Sequence, residues 1–271
     1  RDRLDNLAKG RFYWGVGSGG FPGDFDVFGI NSESGEHRGM SQDSIERILD
    51  MWGNPEPGVY PHEHWDFNIP EPVPEIGLRV HMQPYQKPHP PIAVAGVSSR
   101  SDTLVYAGQK GWIPLSINLV PSATLNTHWE AIEEGAKKSG RIPDRGQWRI
   151  AREVHVAETT EQARQEVLEG TIGRDFRQYF IPLMAHMEAL SLFKTNDDIP
   201  DEAIDPEYLI NNVWIVGSPD DVTEQIRELY KQVGGFGVLL AMGHEWDPRE
   251  SGENSMKLLA NKVLPSLSDL N

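Results

Sequence analysis

Short apolar runs alternate with amphipathic stretches along much of this 271-residue chain. The runs are rich in β-branched and aromatic residues, and glycine or proline bounds several of them, which is typical of buried strands. They begin near residues 12, 92, 113, 150 and 237. Most stretches between them carry apolar residues three or four positions apart, as one face of a helix requires. This order predicts an α/β fold with a parallel sheet, either doubly wound or closed into a (β/α)8 barrel.

The clearest strand–helix–strand unit lies between residues 90 and 118. Ile92–Ala95 has the pattern of a buried strand, Ser101 is placed to cap a helix that begins at Asp102, and Trp112–Ile117 is a second strand. The turn before the helix has the sequence Gly96-Val97-Ser98-Ser99-Arg100-Ser101. A helix N-terminus offers free backbone N–H groups, so serines and an arginine there suit a phosphate. The spacing equally permits serines that only cap a helix.

Polar groups follow the predicted strands, at the end where a (β/α)8 barrel carries its active face. A glycine-rich segment, Gly17-Ser18-Gly19-Gly20, follows the first strand, and glycines let a backbone approach a ligand closely. A flexible loop is the alternative, because the helix and later acidic residue of a dinucleotide-binding fingerprint do not follow. The other groups are Gly96 to Ser101, Ser116 to Asn118, Glu158 with Thr159, and Gly243 to Glu245.

Two segments interrupt the alternation of strands and helices. Residues 53–91 hold 10 of the 20 prolines and show little periodicity, which predicts a lid or a binding insertion. Residues 171–207 form a second, helical insertion, in which Phe176–Leu192 is nearly apolar. Histidines occur in or near the first insertion without the spacing of a metal site, so no metal is expected. They are His62, His64, His81 and His89.

Charge and composition narrow the classes of function. The chain has 41 acidic and 25 basic residues, and its formal net charge of −16 disfavours nucleic acids and anionic membranes as partners. It has no cysteine, so disulfides, thiolate nucleophiles and Cys-ligated metals are excluded. No apolar run approaches the ~20 residues of a membrane helix. These properties are compatible with a reducing cytoplasm, which is the expected location.

Four stretches resemble the bacterial luciferase-like family of flavin-dependent monooxygenases, and the resemblance extends over essentially the whole chain. They are residues 4–29, 90–116 (PPIAVAGVSSRSDTLVYAGQKGWIPLS), 213–226 (VWIVGSPDDVTEQI) and 234–246. Residues 84–96 and 167–183 are more similar to the subgroup of diketocamphane and limonene monooxygenases. The resemblance implies a single (β/α)8 barrel domain over residues 1–271, from which the family's first three βα units are missing.

The resemblance also implies the chemistry. Members of the family use reduced FMN from a separate flavin reductase, together with O2, to oxygenate a small hydrophobic substrate, here a cyclic ketone or a terpenoid. A homodimer is the family's usual assembly. Luciferase has an arginine where this chain has Ser18, and Arg100 or Arg174 is a candidate replacement. Cofactor binding carries over to Gly17, Ser18, Gly96, Ser98, Ser99 and Ser101.

Candidate substrate and catalytic residues follow from the same resemblance. Five aromatic residues are expected to line the substrate pocket, and packing in the ordinary core is their alternative role. They are Trp14, Phe21, Phe25, Trp112 and Trp214. His244, directly after the last strand, is a candidate catalytic residue, although a solvated loop histidine fits that position equally well. Two other functions stay open: a deazaflavin-dependent oxidoreductase that transfers hydride on the same barrel, and a non-catalytic flavin-binding relative. The sequence identifies neither the substrate nor the catalytic base.

Overall fold

A computed structural model describes residues 2–31, 34–53, 56–79 and 82–270 of the chain. His81 of the proline-rich segment lies outside these residues. The chain divides into two compact units, residues 1–93 and residues 94–271. The single barrel domain expected over residues 1–271 stays a prediction.

The first unit contains helices and short strands, and a buried carboxylate near its start contacts a segment near its end. Its described helices and first strand are α1 (Asp2–Ala8), β1 (Trp14–Val16), α2 (Pro22–Phe28) and α3 (Glu36–Trp52). The carboxylate of Asp5, fully buried, accepts hydrogen bonds from the backbone N–H and the side-chain amide of Gln86, both at 2.8 Å. Ser41, whose side chain could cap a helix, lies inside α3, because that helix begins at Glu36, directly after Gly35 in the left-handed region.

The proline-rich segment of the first unit contains an antiparallel hairpin. Its strands are β2 (Gly58–Tyr60) and β3 (Phe67–Ile69), and the rings of Tyr60 and Phe67 stack with their centroids 5.0 Å apart. Strands of three residues are too short to show an alternating pattern, so the sequence gives no periodicity here.

A parallel sheet forms the centre of the second unit. Its strands are β4 (Ile92–Gly96, which begins two residues before the unit), β5 (Ile113–Ser116), β6 (Arg149–Val156), β7 (Ile215–Gly217) and β8 (Val238–Met242). β4 lies beside β5, and β6 pairs in parallel with β5, β7 and β8. The predicted parallel α/β sheet is confirmed, whereas barrel closure and the absence of three βα units stay predictions. β7 is an addition to the predicted strands.

The second unit contains helices between and after its strands. They are α4 (Asp102–Lys110), α5 (Ser122–Lys138), α6 (Thr160–Glu169), α7 (Thr171–Asp175), α8 (Ile181–His186), α9 (Pro206–Asn212), α10 (Pro219–Gln232), α11 (Arg249–Leu258) and α12 (Leu264–Ser266). Thr159 caps α6 by accepting the N–H of Gln162 at 3.2 Å. Within the described ranges, no helix has the length and apolar character needed to span a bilayer.

α4 and α5 approach closely because glycines face each other at their contact. A Cβ atom on Gly108 would lie 2.1 Å from the carbonyl oxygen of Ile132, and one on Gly135 would lie 1.8 Å from that of Val105. Any side chain at either position would separate the helices. This contact lies toward the C-terminal end of α4 and holds α5 alongside that helix, whose other end follows the candidate phosphate turn.

The helical insertion has its own apolar core. α7 continues through a π-helical turn, Phe176–Phe180, into α8, which ends at His186 rather than at the predicted Leu192. Phe176 is fully buried and packs edge-on against Trp214, with their ring centroids 4.7 Å apart. The insertion therefore brings an aromatic cluster to the sheet at β7.

Candidate active site

Polar side chains from three strands meet at the carboxyl end of the parallel sheet. Asn118 follows β5, Glu153 lies in β6 directly opposite Met242 of β8, and His244 follows β8 by two residues. The strand register therefore brings together residues that are up to 126 positions apart in the sequence. Parallel sheets with crossover helices place their binding groups at this end.

Glu153 is the centre of this cluster. Its side chain is only 1% exposed. The Nδ2 of Asn118 donates to Glu153 Oε1 at 2.5 Å, and the Nε2 of His244 lies 3.5 Å from the same oxygen. Within the described residues, nothing donates a hydrogen bond to the other carboxylate oxygen, Oε2. A buried carboxylate oxygen without a donor is costly, so Oε2 is a position that a ligand donor would satisfy.

His244 lies between two carboxylates. Its Nδ1 is 3.2 Å from Asp175 Oδ2, opposite the contact between Nε2 and Glu153. Interaction with Glu153, the largest contribution, raises the pKa of His244; burial acts in the opposite direction and Asp175 adds to the rise. The imidazole ring is thus suited to hold a proton at an otherwise buried position.

A buried arginine lies next to this cluster in the sequence. Arg152 is 2% exposed, and its Nη1 donates to the carbonyl oxygen of Ala151 at 2.9 Å. Burial lowers the pKa of Arg152 to about 10, and the neighbouring Glu153 opposes this shift. The guanidinium therefore keeps its charge at neutral pH.

An aromatic wall borders His244 on the side of the helical insertion. The ring of Phe176 lies 6.3 Å from the imidazole of His244, and on its other sides it contacts Phe180, Phe193 and Trp214. Trp214, predicted to line the substrate pocket, is therefore separated from His244 by one ring. The indole N–H of Trp214 is buried, and no described residue accepts a hydrogen bond from it.

A cavity of about 750 Å³ lies beside the segment that follows β8, and His244 lines part of it. Apolar walls come from Met242, Trp246, Met256 and Leu259. The lining also includes His155 and Glu166, whose Nε2 and Oε2 atoms are 2.7 Å apart. The cavity is large enough for a small organic ligand, and its lining is mainly apolar.

The predicted phosphate turn joins β4 to α4 in a defined conformation. A Cβ atom on Gly96 would lie 2.4 Å from the Cγ of Leu104, so this position has no room for a side chain. Ser99 Oγ donates to the hydroxyl of Thr127 at 3.2 Å, and the backbone N–H of Arg100 donates to the same hydroxyl at 3.1 Å. The turn is thereby held against α5.

The three serines of the turn are not equivalent. Ser98 is exposed, and no described residue makes a hydrogen bond to its hydroxyl. Ser99 is engaged with Thr127. Ser101 precedes α4 as predicted, but it is buried and its hydroxyl pairs with that of Thr103 at 2.8 Å rather than capping the helix. Ser98 is therefore the serine whose hydroxyl is available to a ligand.

The two arginines considered as replacements for a phosphate-binding cation already have acidic partners. Arg100, which is 67% exposed, lies 3.2 Å from Glu134. Arg174 lies 3.6 Å from Asp175, 3.4 Å from Glu245 and 3.7 Å from Asp247. The contacts of Arg174 fasten the segment after β8 to α7, so its charge is largely balanced within the protein.

Other predicted residues have varied surroundings. In the first unit, Gly17 is exposed after β1, Ser18 is partly buried, and Phe21 is 48% exposed. Trp14 is buried edge-on against Trp52, with ring centroids 5.2 Å apart. Phe25 is also buried, where its ring lies 4.8 Å from that of His37. In the second unit, Trp112 is buried against Tyr106, at a ring distance of 5.2 Å.

The sequence analysis places Asn118 among the polar groups expected at the active face, but it does not single out Glu153 or Asp175 for this site. Glu153 carries a usable signal, because it is a charged residue within a strand. Asp175 carries none, since its approach to His244 depends on the packing of α7.

Comparisons with known proteins show which family the chain matches. Residues 3–235 match the family described as luciferase-like monooxygenase. The 3,6-diketocamphane 1,6-monooxygenase of Pseudomonas putida is 30% identical over 97% of this chain and 74% of its own length. Limonene 1,2-monooxygenase of Rhodococcus erythropolis is also 30% identical, over 97% of this chain and 62% of its own length.

Comparison with solved structures indicates the same family. The oxygenating constituent of 3,6-diketocamphane monooxygenase from P. putida, a type II Baeyer–Villiger monooxygenase in complex with FMN, superposes with a TM-score of 0.85 at 30% identity. The match covers 97% of this chain and 73% of that one. An F420-dependent secondary alcohol dehydrogenase reaches a TM-score of 0.64 at 15% identity over 98% of this chain and 72% of its own, which shows a shared fold alone. The chain belongs to the luciferase-like monooxygenase family.

Proposed function

We propose that this chain is the oxygenating component of an FMN-dependent monooxygenase that acts on a small hydrophobic ketone or terpenoid. One observation carries the proposal: a turn suited to phosphate and the Glu153–His244 pair lie at the carboxyl end of the same parallel sheet. The FMN bound by a relative of 30% identity supports the choice of cofactor.

The residues present fit FMN. Ser98 offers an exposed hydroxyl at the start of α4, a helix of nine residues whose N-terminus favours an anion. In this proposal Ser98 and the backbone of the turn hold the phosphate, whereas Ser99 and Ser101 shape the turn through Thr127 and Thr103. Gly17 and Ser18 of the first unit stay predictions for cofactor binding.

Reduced FMN supplies two electrons to O2, so that one oxygen atom enters the substrate and the other leaves as water. His244 would hold a proton for the substrate oxygen, and Glu153 and Asp175 would stabilise the imidazolium. Phe176 and Trp214 would exclude water from this proton.

The substrate class follows from the apolar surroundings of His244. The cavity walls at Met242, Trp246, Met256 and Leu259 suit a compact hydrocarbon skeleton. The curated relatives are named for camphane and limonene substrates, which are of this kind. Trp14, Phe21, Phe25, Trp112 and Trp214 stay predictions as pocket walls. Supply of reduced FMN by a separate reductase, a homodimer and a cytoplasmic location are further parts of the proposal.

The test is an anaerobic titration of the chain with FMN and with reduced FMN, followed by O2 uptake in the presence of limonene or a camphane diketone. Flavin binding with substrate-dependent O2 uptake and an oxygenated product supports the proposal. Binding of a deazaflavin but of neither FMN form assigns hydride transfer instead. Flavin binding without turnover of any substrate assigns a non-catalytic flavin-binding protein.

A further inference from the structure

A buried chain of hydrogen bonds reaches the phosphate turn from behind. The indole N–H of Trp148 lies 2.9 Å from Ser116 Oγ, and Ser116 Oγ lies 2.9 Å from His128 Nδ1. The other ring nitrogen, His128 Nε2, lies 3.0 Å from the carbonyl oxygen of Ser98. Trp148, Ser116 and His128 are each fully buried.

The chemical nature of each partner determines which atom donates and which accepts in this series of hydrogen bonds. A carbonyl oxygen can only accept, so His128 Nε2 carries a hydrogen and donates it to Ser98. Burial lowers the pKa of His128, which keeps the ring neutral and leaves Nδ1 as an acceptor. Ser116 must then donate to Nδ1 while it accepts from the indole, which can only donate.

This series of hydrogen bonds joins four separate parts of the second unit. Trp148 precedes β6, Ser116 ends β5, His128 lies in α5, and Ser98 lies in the turn after β4. Thr127, the neighbour of His128, holds the hydroxyl of Ser99 and the N–H of Arg100. α5 therefore fixes successive peptide groups of the turn from two adjacent residues.

The orientation of one peptide group connects this chain to ligand binding. In a trans peptide the C=O and the following N–H point in opposite directions. Because the Ser98 carbonyl points at His128, the N–H of Ser99 points away from α5, and no described residue accepts it. The direction of the Ser99 N–H is therefore set by His128.

We propose that His128 is a positioning residue for the flavin phosphate: it orients the Ser98–Ser99 peptide so that the Ser99 N–H and the Ser98 hydroxyl are offered to the same anion. This inference rests on the proposed function. His128 itself does not contact the ligand.

Two substitutions of similar polarity separate this role from simple core packing. In His128→Gln the side-chain amide extends to the position of Nε2 and still donates to Ser98. In His128→Asn the amide extends only to the position of Nδ1, so it keeps the Ser116 contact and loses Ser98. The expected result is FMN affinity near wild type for the Gln variant and a Kd about tenfold higher for the Asn variant.

Riboflavin, which lacks the phosphate, is the matched ligand control. The Asn variant is expected to bind riboflavin as wild type does, and the amide hydrogen of Arg100, which donates to Thr127 in the same turn, should exchange faster in this variant without any flavin. Equal FMN affinities for the two variants would overturn the inference, as would an equal loss of riboflavin and FMN binding in the Asn variant. A wild-type chain that binds no form of FMN would refute the proposed function, and this inference with it.

Discussion

The Nδ2 of Asn118 donates to Glu153 Oε1 at 2.5 Å, so the end of β5 is tied to a buried carboxylate of β6. This bond directs the carboxylate and leaves its Oε2 without a donor among the described residues. Because His244 Nε2 lies 3.5 Å from the same Oε1, groups from β6 and from the segments after β5 and β8 meet at one oxygen atom. The geometry of the candidate site is thus a property of the sheet register.

Removal of this amide should destabilise the protein. We expect Asn118→Ala to lower the free energy of unfolding by about 1–3 kcal/mol, because Glu153 stays buried with fewer donors. The measurement is urea unfolding. Asn211→Ala is the matched control: it removes an exposed amide bonded to Arg164, and we expect a change within about 0.5 kcal/mol. Equal losses for both variants would contradict the structural role of Asn118.

The stability contributed by His244 should depend on pH in a defined direction. Its pKa is raised above the ordinary 6.5, so the folded protein binds the proton more tightly than the unfolded chain does. The contribution is therefore complete below pH 6.5 and is lost as pH rises through the folded-state pKa. The difference in unfolding free energy between wild type and His244→Gln, measured from about pH 5.5 to 8.5, should fall with increasing pH. A difference that grows over this range would disprove the assignment.

Ser98 should matter more for FMN than Ser99 does. We expect Ser98→Ala to raise the Kd for FMN about fivefold, because a hydroxyl that has no protein partner is lost from the phosphate turn. Riboflavin affinity should not change. Ser99→Ala should have a smaller effect, since the hydroxyl of Ser99 is held by Thr127. Fluorescence titration of both flavins measures this, and identical FMN affinities for Ser98→Ala and wild type would remove the phosphate assignment.

The strand end at Gly96 should not tolerate a methyl group. Gly96→Ala places a Cβ 2.4 Å from Leu104 Cγ, inside a packed helix–strand contact, and we expect a loss of about 1–3 kcal/mol. Gly243→Ala is the control, because a Cβ there meets no atom within 4 Å. Thermal unfolding of both variants distinguishes the two cases. A neutral Gly96→Ala would show that α4 can shift away from β4.

The sequence predicts the local features of this site better than its contacts. The turn from Gly96 to Ser101 is evident because glycine and serine punctuate a strand followed by a helix, and Ser101 does precede α4. Which serine is available depends on Thr127 and Thr103, and neither contact has a sequence pattern. The pairing of Asn118 with Glu153 likewise depends on the register between β5 and β6.

Other differences between the predicted and the observed elements have local physical reasons. β7 has three residues, and only Val213 and Trp214 separate it from α9, so its apolar residues merge with those of the helix in any sequence window. α3 begins at a left-handed glycine, and such a start leaves no side-chain capping signal to detect. Residue spacing predicts helices and strands well where they are long and periodic. It predicts them less well where backbone conformation or contacts with distant residues determine where an element begins and ends.

The π-helical turn at Phe176–Phe180 has a consequence for how the length of this chain can vary. A π turn accommodates one residue more than an α turn does, so the loss of one residue at this point would return the segment to α-helical geometry with α7 and α8 still in register. Elsewhere in these helices, the same deletion would rotate every later side chain by about 100°. Deletions of one residue in the helical insertion are therefore expected to be tolerated best within these five residues.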